Sequence, residues 1–227
     1  MHGSFFVKFI ADTLAKKDEA QIFNRALMSY KKEFTLFVGP MFGGKTTKML
    51  SELDKHSYRG RDIYAFKPIV DSRYSEHKIV THNGGSIDSF LVRDAGDILS
   101  KLDELSVYDK GDNRMIVNSP VIALDEAFML DGAGEVLPKL FQAGATIVAS
   151  TIQLNSDGTP FKEVLGIMPY ATRIEVCTSV CSICSADAFY TEKIGGRQDF
   201  SIEVGGPELY QPRCFNHFTH FNANKDI

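Results

Sequence analysis

The chain contains no run of eighteen apolar residues, so the sequence offers no transmembrane helix. Residues Met1 to Lys8 show no basic region followed by a long apolar core, and nothing there reads as a secretory signal. Four cysteines are too few for a disulfide scaffold in 227 residues, and their close spacing points to metal rather than to oxidation. A formal net charge of -4 gives no global electrostatic footprint for duplex nucleic acid. There are no internal repeats and no low-complexity tracts. What remains is a chain with 44% hydrophobic residues, enough for one main domain with an ordinary core and a small appendage. A reducing, cytoplasmic compartment is the expectation.

Three regions follow from the pattern. Residues 1–32 form an N-terminal extension in which Phe6, Phe9, Ile10 and Leu14 can share a helical face, as can Ile22, Phe23, Ala26 and Leu27. This region is a terminal helix, a frayed extension or a partner-binding arm. Residues 33–175 alternate strand-like and helix-like signals. Phe34 to Val38 reads as a strand, Lys45 to Ser57 as a helix, and Asp62 to Phe66 as a second strand closed by Pro68. Val121 to Leu124 and Thr146 to Ser150 read as further strands, with Val136 to Phe141 in a helix between them. Strand and helix in alternation predict an α/β fold, a mostly parallel sheet with flanking helices. Asp71 to Ser89 is polar and reads as a long loop or hairpin over the site. Residues 176–220 carry paired cysteines, glycines and aromatics, and read as a separate small module.

Gly39-Pro40-Met41-Phe42-Gly43-Gly44-Lys45-Thr46 fits G-x-x-x-x-G-K-[ST] between a strand and a helix, the setting that a phosphate-binding P-loop requires. Glycines let successive N–H groups face inward, and those groups together with the helix N-terminus bind phosphates. Lys45 then meets the β- and γ-phosphates of ATP, and Thr46 holds Mg²⁺. The bland alternative is a glycine-rich turn with a solvated lysine. A second signal is Val121-Ile122-Ala123-Leu124-Asp125-Glu126, a buried strand that delivers two carboxylates to the sheet edge where ligands bind. Asp125 suits the metal side, and Glu126 can face the acceptor and take its proton. Taken alone, the same pattern also describes a strand ending in a solvated turn.

Cys181 and Cys184 form a C-x-x-C pair, and Cys214 and His217 form a C-x-x-H pair. Three thiolates and an imidazole favour structural Zn²⁺ with no open coordination position. A redox pair or unconnected thiols are the alternatives. Cys177 reads as a buried spare that replaces a ligand only if the loop shifts, and His220 is a weaker substitute for His217.

Together these elements resemble the cytosolic, zinc-containing thymidine kinase family over residues 33–218. Gly39 to Thr46 is close to that family's G-P-M-F-S-G-K-[ST] loop. Asp71-Ser72-Arg73-Tyr74 resembles its D-x-R-Y element, Thr81-His82 the T-H that follows, and Pro160-Phe161 a proline-phenylalanine beside the substrate. Asp125-Glu126-Ala127 resembles its D-E-[AG]-Q-F, and Val204-Gly205-Gly206-Pro207-Glu208-Leu209-Tyr210 its V-G-G-x-E-x-Y lasso. The resemblance implies ATP-dependent phosphorylation of the 5′-hydroxyl of thymidine in nucleotide salvage, with Glu126 as general base. It places Asp71 and Arg73 near phosphates and metal. It further implies that Met41, Phe128, Phe161, Val204, Gly205, Gly206 and Tyr210 surround the nucleoside. It also implies a homotetramer and feedback inhibition by dTTP.

The chain departs from the family pattern at Phe128 and Met129, which stand where glutamine and phenylalanine are usual. Gly43 replaces a serine, and residues 151–160 lack the aromatic expected before Phe161. Deoxyuridine is therefore a second candidate substrate. A rival reading is a P-loop ATPase that grips nucleic acid through its zinc module. That reading calls for a basic stripe with stacking aromatics, of which Lys193 and Arg197 are a meagre start.

Overall fold

A computed structural model describes residues 32–71, 77–81, 84–196 and 203–222. The helical faces read in residues 1–31, and Arg73, His82 and Arg197, lie outside the described residues. The chain runs β1 (Phe34–Val38), α1 (Lys45–Tyr58), β2 (Ile63–Pro68), then a hairpin of β3 (Lys78–Val80) and β4 (Ser86–Asp88). It continues with β5 (Phe90–Val92), α2 (Ala95–Glu104), a short β6 (Tyr108–Asp109) and β7 (Arg114–Met115), β8 (Val121–Leu124), α3 (Ala133–Ala143) and β9 (Thr146–Thr151). After α4 (Lys162–Ile167) and β10 (Arg173–Val176) come β11 (Ser179–Val180), β12 (Asp187–Ala188), β13 (Tyr190–Lys193), β14 (Tyr210–Arg213) and the short α5 (Thr219–Asn222).

Six strands form one sheet in the order β10-β1-β9-β8-β2-β5, and every pairing is parallel. A parallel sheet covered on both faces is apolar on both faces, so β1, β8 and β9 are buried at every residue. Phe34, Leu36, Phe66, Ile122, Leu124 and Ile147 join one core cluster with residues of α2 and α3. Phe37, Ala65, Val121, Ala123 and Val148 pack on the other face against Met49, Leu50 and Leu53 of α1. Asp94 starts α2 by accepting the N–H groups of Gly96 and Asp97, the usual side-chain solution to orphaned donors at a helix start.

The α/β architecture expected from the alternation is present. The second strand extends through Pro68, which pairs with Val92, and not merely to Phe66. Proline is tolerated there because it is the strand's last residue. Strand β5 is apolar but only three residues long, and β10 carries no continuous apolar run. Three of the four residues of β10 are exposed, as befits an edge strand, and this hid it from a search for buried strands. Asp71 to Ser89 contains the β3–β4 hairpin, with Ile79 buried beneath it.

Candidate active site

The phosphate loop leaves β1 and enters α1. A Cβ at Gly39 would sit 2.3 Å from the carbonyl oxygen of Cys177, and φ there is +154°, so only glycine fits where the loop crosses the neighbouring strand end. Phe42 and Gly44 both have positive φ, and no atom lies within 4 Å of a Cβ built on Gly44. The turn therefore leaves open space in front of the N-terminus of α1, where N–H groups and the helix dipole favour an anion. Gly43 donates its N–H to the Pro40 carbonyl at 3.2 Å. The same carbonyl accepts from Nζ of the buried Lys45 at 2.8 Å.

Asp125 follows β8 and is buried. Thr46 Oγ1 lies 3.2 Å from each of its carboxylate oxygens, and Ser150 Oγ donates a short hydrogen bond to it. Burial pushes its carboxyl above the ordinary value. The Ser150 bond pulls it down, nearby Asp71 raises it again, and Lys45 and Thr46 lower it. Such a carboxyl gains strongly from a cation beside it. Glu126 has left-handed backbone, φ 51° and ψ 49°, a conformation that costs a non-glycine residue about 1–3 kcal/mol. Its N–H donates to Ser150 Oγ at 3.2 Å, so one serine on β9 positions both acidic residues.

Two cavities meet at this point. One, of about 720 Å³, is lined by Phe42, Gly44, Lys45, Thr46, Lys67, Asp71, Thr81 and Asp125 among others. The second, of about 480 Å³, is lined by Phe128, Met129, Ile152, Leu154, Phe161 and Tyr210 together with Asn155, Ser156, Thr191, Glu203, Val204 and Gly205. Met41 and Glu126 line both. The rings of Phe128 and Phe161 pack with centroids 4.7 Å apart. The first cavity is polar and backed by loop amides; the second is walled by flat and apolar side chains, with polar groups at a few points, as a ring-sized ligand requires.

Residues 203–210 close the second cavity. Tyr210 Oη donates to the Glu203 carbonyl at 2.7 Å and accepts the Glu203 N–H at 3.1 Å. Glu203 also pairs with the largely buried Lys193 at 2.9 Å. Beyond this loop, the ligand atoms of Cys181, Cys184, Cys214 and His217 all lie within 4.8 Å of one another. Cys184 Sγ is 3.7 Å from Cys214 Sγ, and His217 Nδ1 is 3.7 Å from Cys181 Sγ and 3.3 Å from Cys214 Sγ. A tetrahedron with zinc–sulfur and zinc–nitrogen bonds of ordinary length has edges of about 3.6–3.8 Å, so this cluster can hold zinc. Cys177 is not in the cluster. It is buried under the phosphate loop, and its N–H donates to the Val38 carbonyl at 2.7 Å. His220 is also outside the cluster and packs on Gly158. Glu33, Glu52 and His56 form a second cluster of potential ligands, but Glu52 is already bound by Arg173 at 2.8 Å and Lys55 at 3.1 Å. That cluster is an ion-pair network.

The thymidine kinase family profile matches residues 32–218, most of the chain. The chain belongs to the thymidine kinase family. Over 188 residues it is 30% identical to the thymidine kinase of Thermococcus kodakarensis, covering 80% of this chain and 91% of that one. Over 193 residues it is 31% identical to the thymidine kinase of Pyrobaculum aerophilum, covering 81% of this chain and 96% of that one.

In this kinase the residues read from the sequence gather around the two cavities. Gly44, Lys45, Thr46, Asp71 and Asp125 line the first, Phe128, Phe161, Val204, Gly205 and Tyr210 the second, and Met41 and Glu126 their junction. Gly206 lies one residue beyond and accepts the Leu209 and Tyr210 N–H groups. Arg73 lies outside the described residues. Sequence reasoning missed Ser150, Lys67, Thr191 and the Asn155–Ser156 pair. Lys67 carried a signal, being a cation in an otherwise apolar strand, and it is buried at the wall of the first cavity. Ser150 and Thr191 carried none, because their roles arise where distant segments meet: β9 beside the end of β8, and β13 beside the phosphate loop. Among the described residues no helix is long and apolar enough to cross a membrane.

Proposed function

We propose that this enzyme transfers the γ-phosphate of ATP to the 5′-hydroxyl of thymidine, with deoxyuridine as a second substrate. The observation that carries this reading is the meeting of a polar, loop-backed cavity and an apolar, aromatic-walled cavity at Met41 and Glu126. Two relatives that align over most of their own length are thymidine kinases, which supports the same substrate.

On this reading ATP lays its phosphates along Gly39 to Thr46, where loop N–H groups and the N-terminus of α1 hold them. Lys45 leaves the Pro40 carbonyl to neutralise the γ-phosphate, and Asp71 and Arg73 border the phosphates. Thr46 and Asp125 are hard oxygen donors already within hydrogen-bonding distance of each other, and they are the residues that would hold Mg²⁺. When bound there, the ion offsets charge on the transferring phosphoryl group. Glu126 orients the 5′-hydroxyl and takes its proton as transfer proceeds. Phe128 and Phe161 wall the base. Backbone groups of Val204, Gly205 and Gly206 read its polar edge. The lasso excludes water, which would otherwise intercept the phosphoryl group.

Zinc at Cys181, Cys184, Cys214 and His217 anchors both ends of the lasso and lowers the ordering cost of nucleoside binding. Residues 33–175 constitute the kinase domain and 176–220 the zinc-bearing lasso domain. We further propose a cytoplasmic homotetramer inhibited by dTTP, whose base would occupy the nucleoside cavity and whose phosphates would reach the P-loop. The test is a panel of nucleosides incubated with ATP and assayed for monophosphate. Thymidine should be phosphorylated with the highest kcat/KM, and turnover of ATP that ignores every nucleoside would reject the reading.

A further inference from the structure

The chain enters the lasso from Lys193, the last residue of β13, and returns at Tyr210, the first residue of β14. These two residues are the final cross-strand pair of the ribbon, so their side chains share one face. Both reach the same residue of the returning arm. Lys193 Nζ lies 2.9 Å from Glu203 Oε2. Tyr210 Oη donates to the Glu203 carbonyl at 2.7 Å and accepts the Glu203 N–H at 3.1 Å. One strand pair therefore holds Glu203 by its carboxylate and by both of its backbone polar groups.

The surrounding contacts fit this grip. Gly196 has φ +75°, and a Cβ built on it would fall 2.3 Å from Glu203 Oε2, so the carboxylate fills the space that a side chain would take. A Cβ on Gly205 would fall 2.2 Å from Leu209 Cδ1. Leu209 and Tyr210 both donate their N–H groups to the Gly206 carbonyl, and the Ile194 N–H donates to the Leu209 carbonyl at 2.8 Å. The arm from Glu203 to Tyr210 is thus closed on itself and tied to the start of the lasso. The Lys193 side chain is 7% exposed and that of Glu203 28%. A lysine so buried belongs with a partner, and a pair so shielded is screened less than an exposed one.

The metal cluster does not make these contacts. Its four residues lie before Lys193 or after Tyr210, so zinc fixes the base of the ribbon and leaves the arm to be held by other groups. Val204 and Gly205, which follow Glu203, line the second cavity together with Glu203 and Tyr210. We infer that Lys193, Glu203 and the Tyr210 hydroxyl form a latch that keeps this arm folded before a nucleoside arrives. Lys193 is then a positioning residue: it sets nucleoside affinity through Glu203 and touches no reacting atom. This second half rests on the second cavity being the nucleoside pocket. A loop that must be ordered on binding subtracts from affinity, and a latch already made in the free enzyme removes that cost.

Two measurements separate the halves of the inference. Hydrogen exchange of the ligand-free, zinc-loaded enzyme reports the order of the arm. Steady-state kinetics with ATP reports thymidine KM and kcat. The variants are Lys193→Met, which keeps the chain length without the charge, Glu203→Gln, which keeps the size, and the two combined. In each single variant, amides of residues 203–210 should exchange about tenfold faster or more. Those of the zinc knuckles should be unchanged, with zinc content at the wild-type level. Thymidine KM should rise about fivefold or more while kcat stays within about twofold, because the bound arm returns to the same place. The double variant should be little worse than Lys193→Met alone, since one interaction is lost only once. If Lys193→Met does not fold, Glu203→Gln carries the exchange and KM tests. Unchanged exchange in the folded variants, or fully additive effects in the double variant, would overturn the latch. Faster exchange with an unchanged thymidine KM would overturn the positioning role. A wild type that phosphorylates no pyrimidine deoxynucleoside would overturn the nucleoside-pocket reading, while exchange would still decide whether the latch exists.

Discussion

The Met41 N–H donates to Thr191 Oγ1 at 2.9 Å. This bond joins the phosphate loop to β13, the strand that leads toward the lasso, and both residues also line the second cavity. Loop and lasso are thus held in register by one hydroxyl. In Thr191→Val the side chain keeps its shape but the N–H loses its acceptor, at a cost of about 1–3 kcal/mol if it stays buried. The expected outcome is a raised KM for both ATP and thymidine, restored by Thr191→Ser. Steady-state kinetics with each substrate varied in turn checks this, and an effect on neither KM would show that the bond does not hold the two segments together.

The Cys₃His cluster predicts one zinc per chain. Cys184→Ser should lower the metal content and raise the KM for thymidine by roughly tenfold, because the lasso must then be ordered on binding. Its effect on the KM for ATP should be smaller. Elemental analysis beside kinetics makes the measurement, and purified wild type without zinc would contradict it.

Acid stability should depend on His56. Burial lowers its pKa to about 4, with Arg61 adding to the effect, Glu52 opposing it, and Arg59 and Arg173 lowering it further. Between the unfolded value of about 6.5 and the folded value of about 4, the unfolded chain binds a proton that the folded chain refuses. Stability therefore falls as pH drops through that window. Asp125, whose carboxyl is raised, acts in the opposite sense, so the difference between wild type and His56→Gln isolates the histidine. Denaturant unfolding at pH 7 and pH 4 should show the wild type losing about 2–3 kcal/mol more than the variant. Equal losses would mean that His56 is protonated in the folded state.

Much of this arrangement was legible in the sequence because its signals are local. The apolar runs of β1, β8 and β9 and the glycine spacing of the phosphate loop each lie within one short segment. So do the Asp125–Glu126 pair and the two zinc knuckles. What escaped depends on chain segments brought together by the fold. Ser150 matters because β9 lies beside β8, and Thr191 because β13 reaches the phosphate loop. The edge strand β10 escaped for a different reason: exposed on one side, it needs no apolar run.

Glu126 is the residue on which the chemistry depends, and its role is tested by kcat for ATP-dependent thymidine phosphorylation in Glu126→Gln, taken beside thymidine affinity in the same variant. Glutamine keeps the size and the left-handed backbone position but cannot take a proton. If Glu126 is the general base, kcat falls about 10²-fold or more while thymidine still binds. An unchanged kcat would contradict the account, and Asp71, buried at the wall of the phosphate cavity, would become the next candidate for the base.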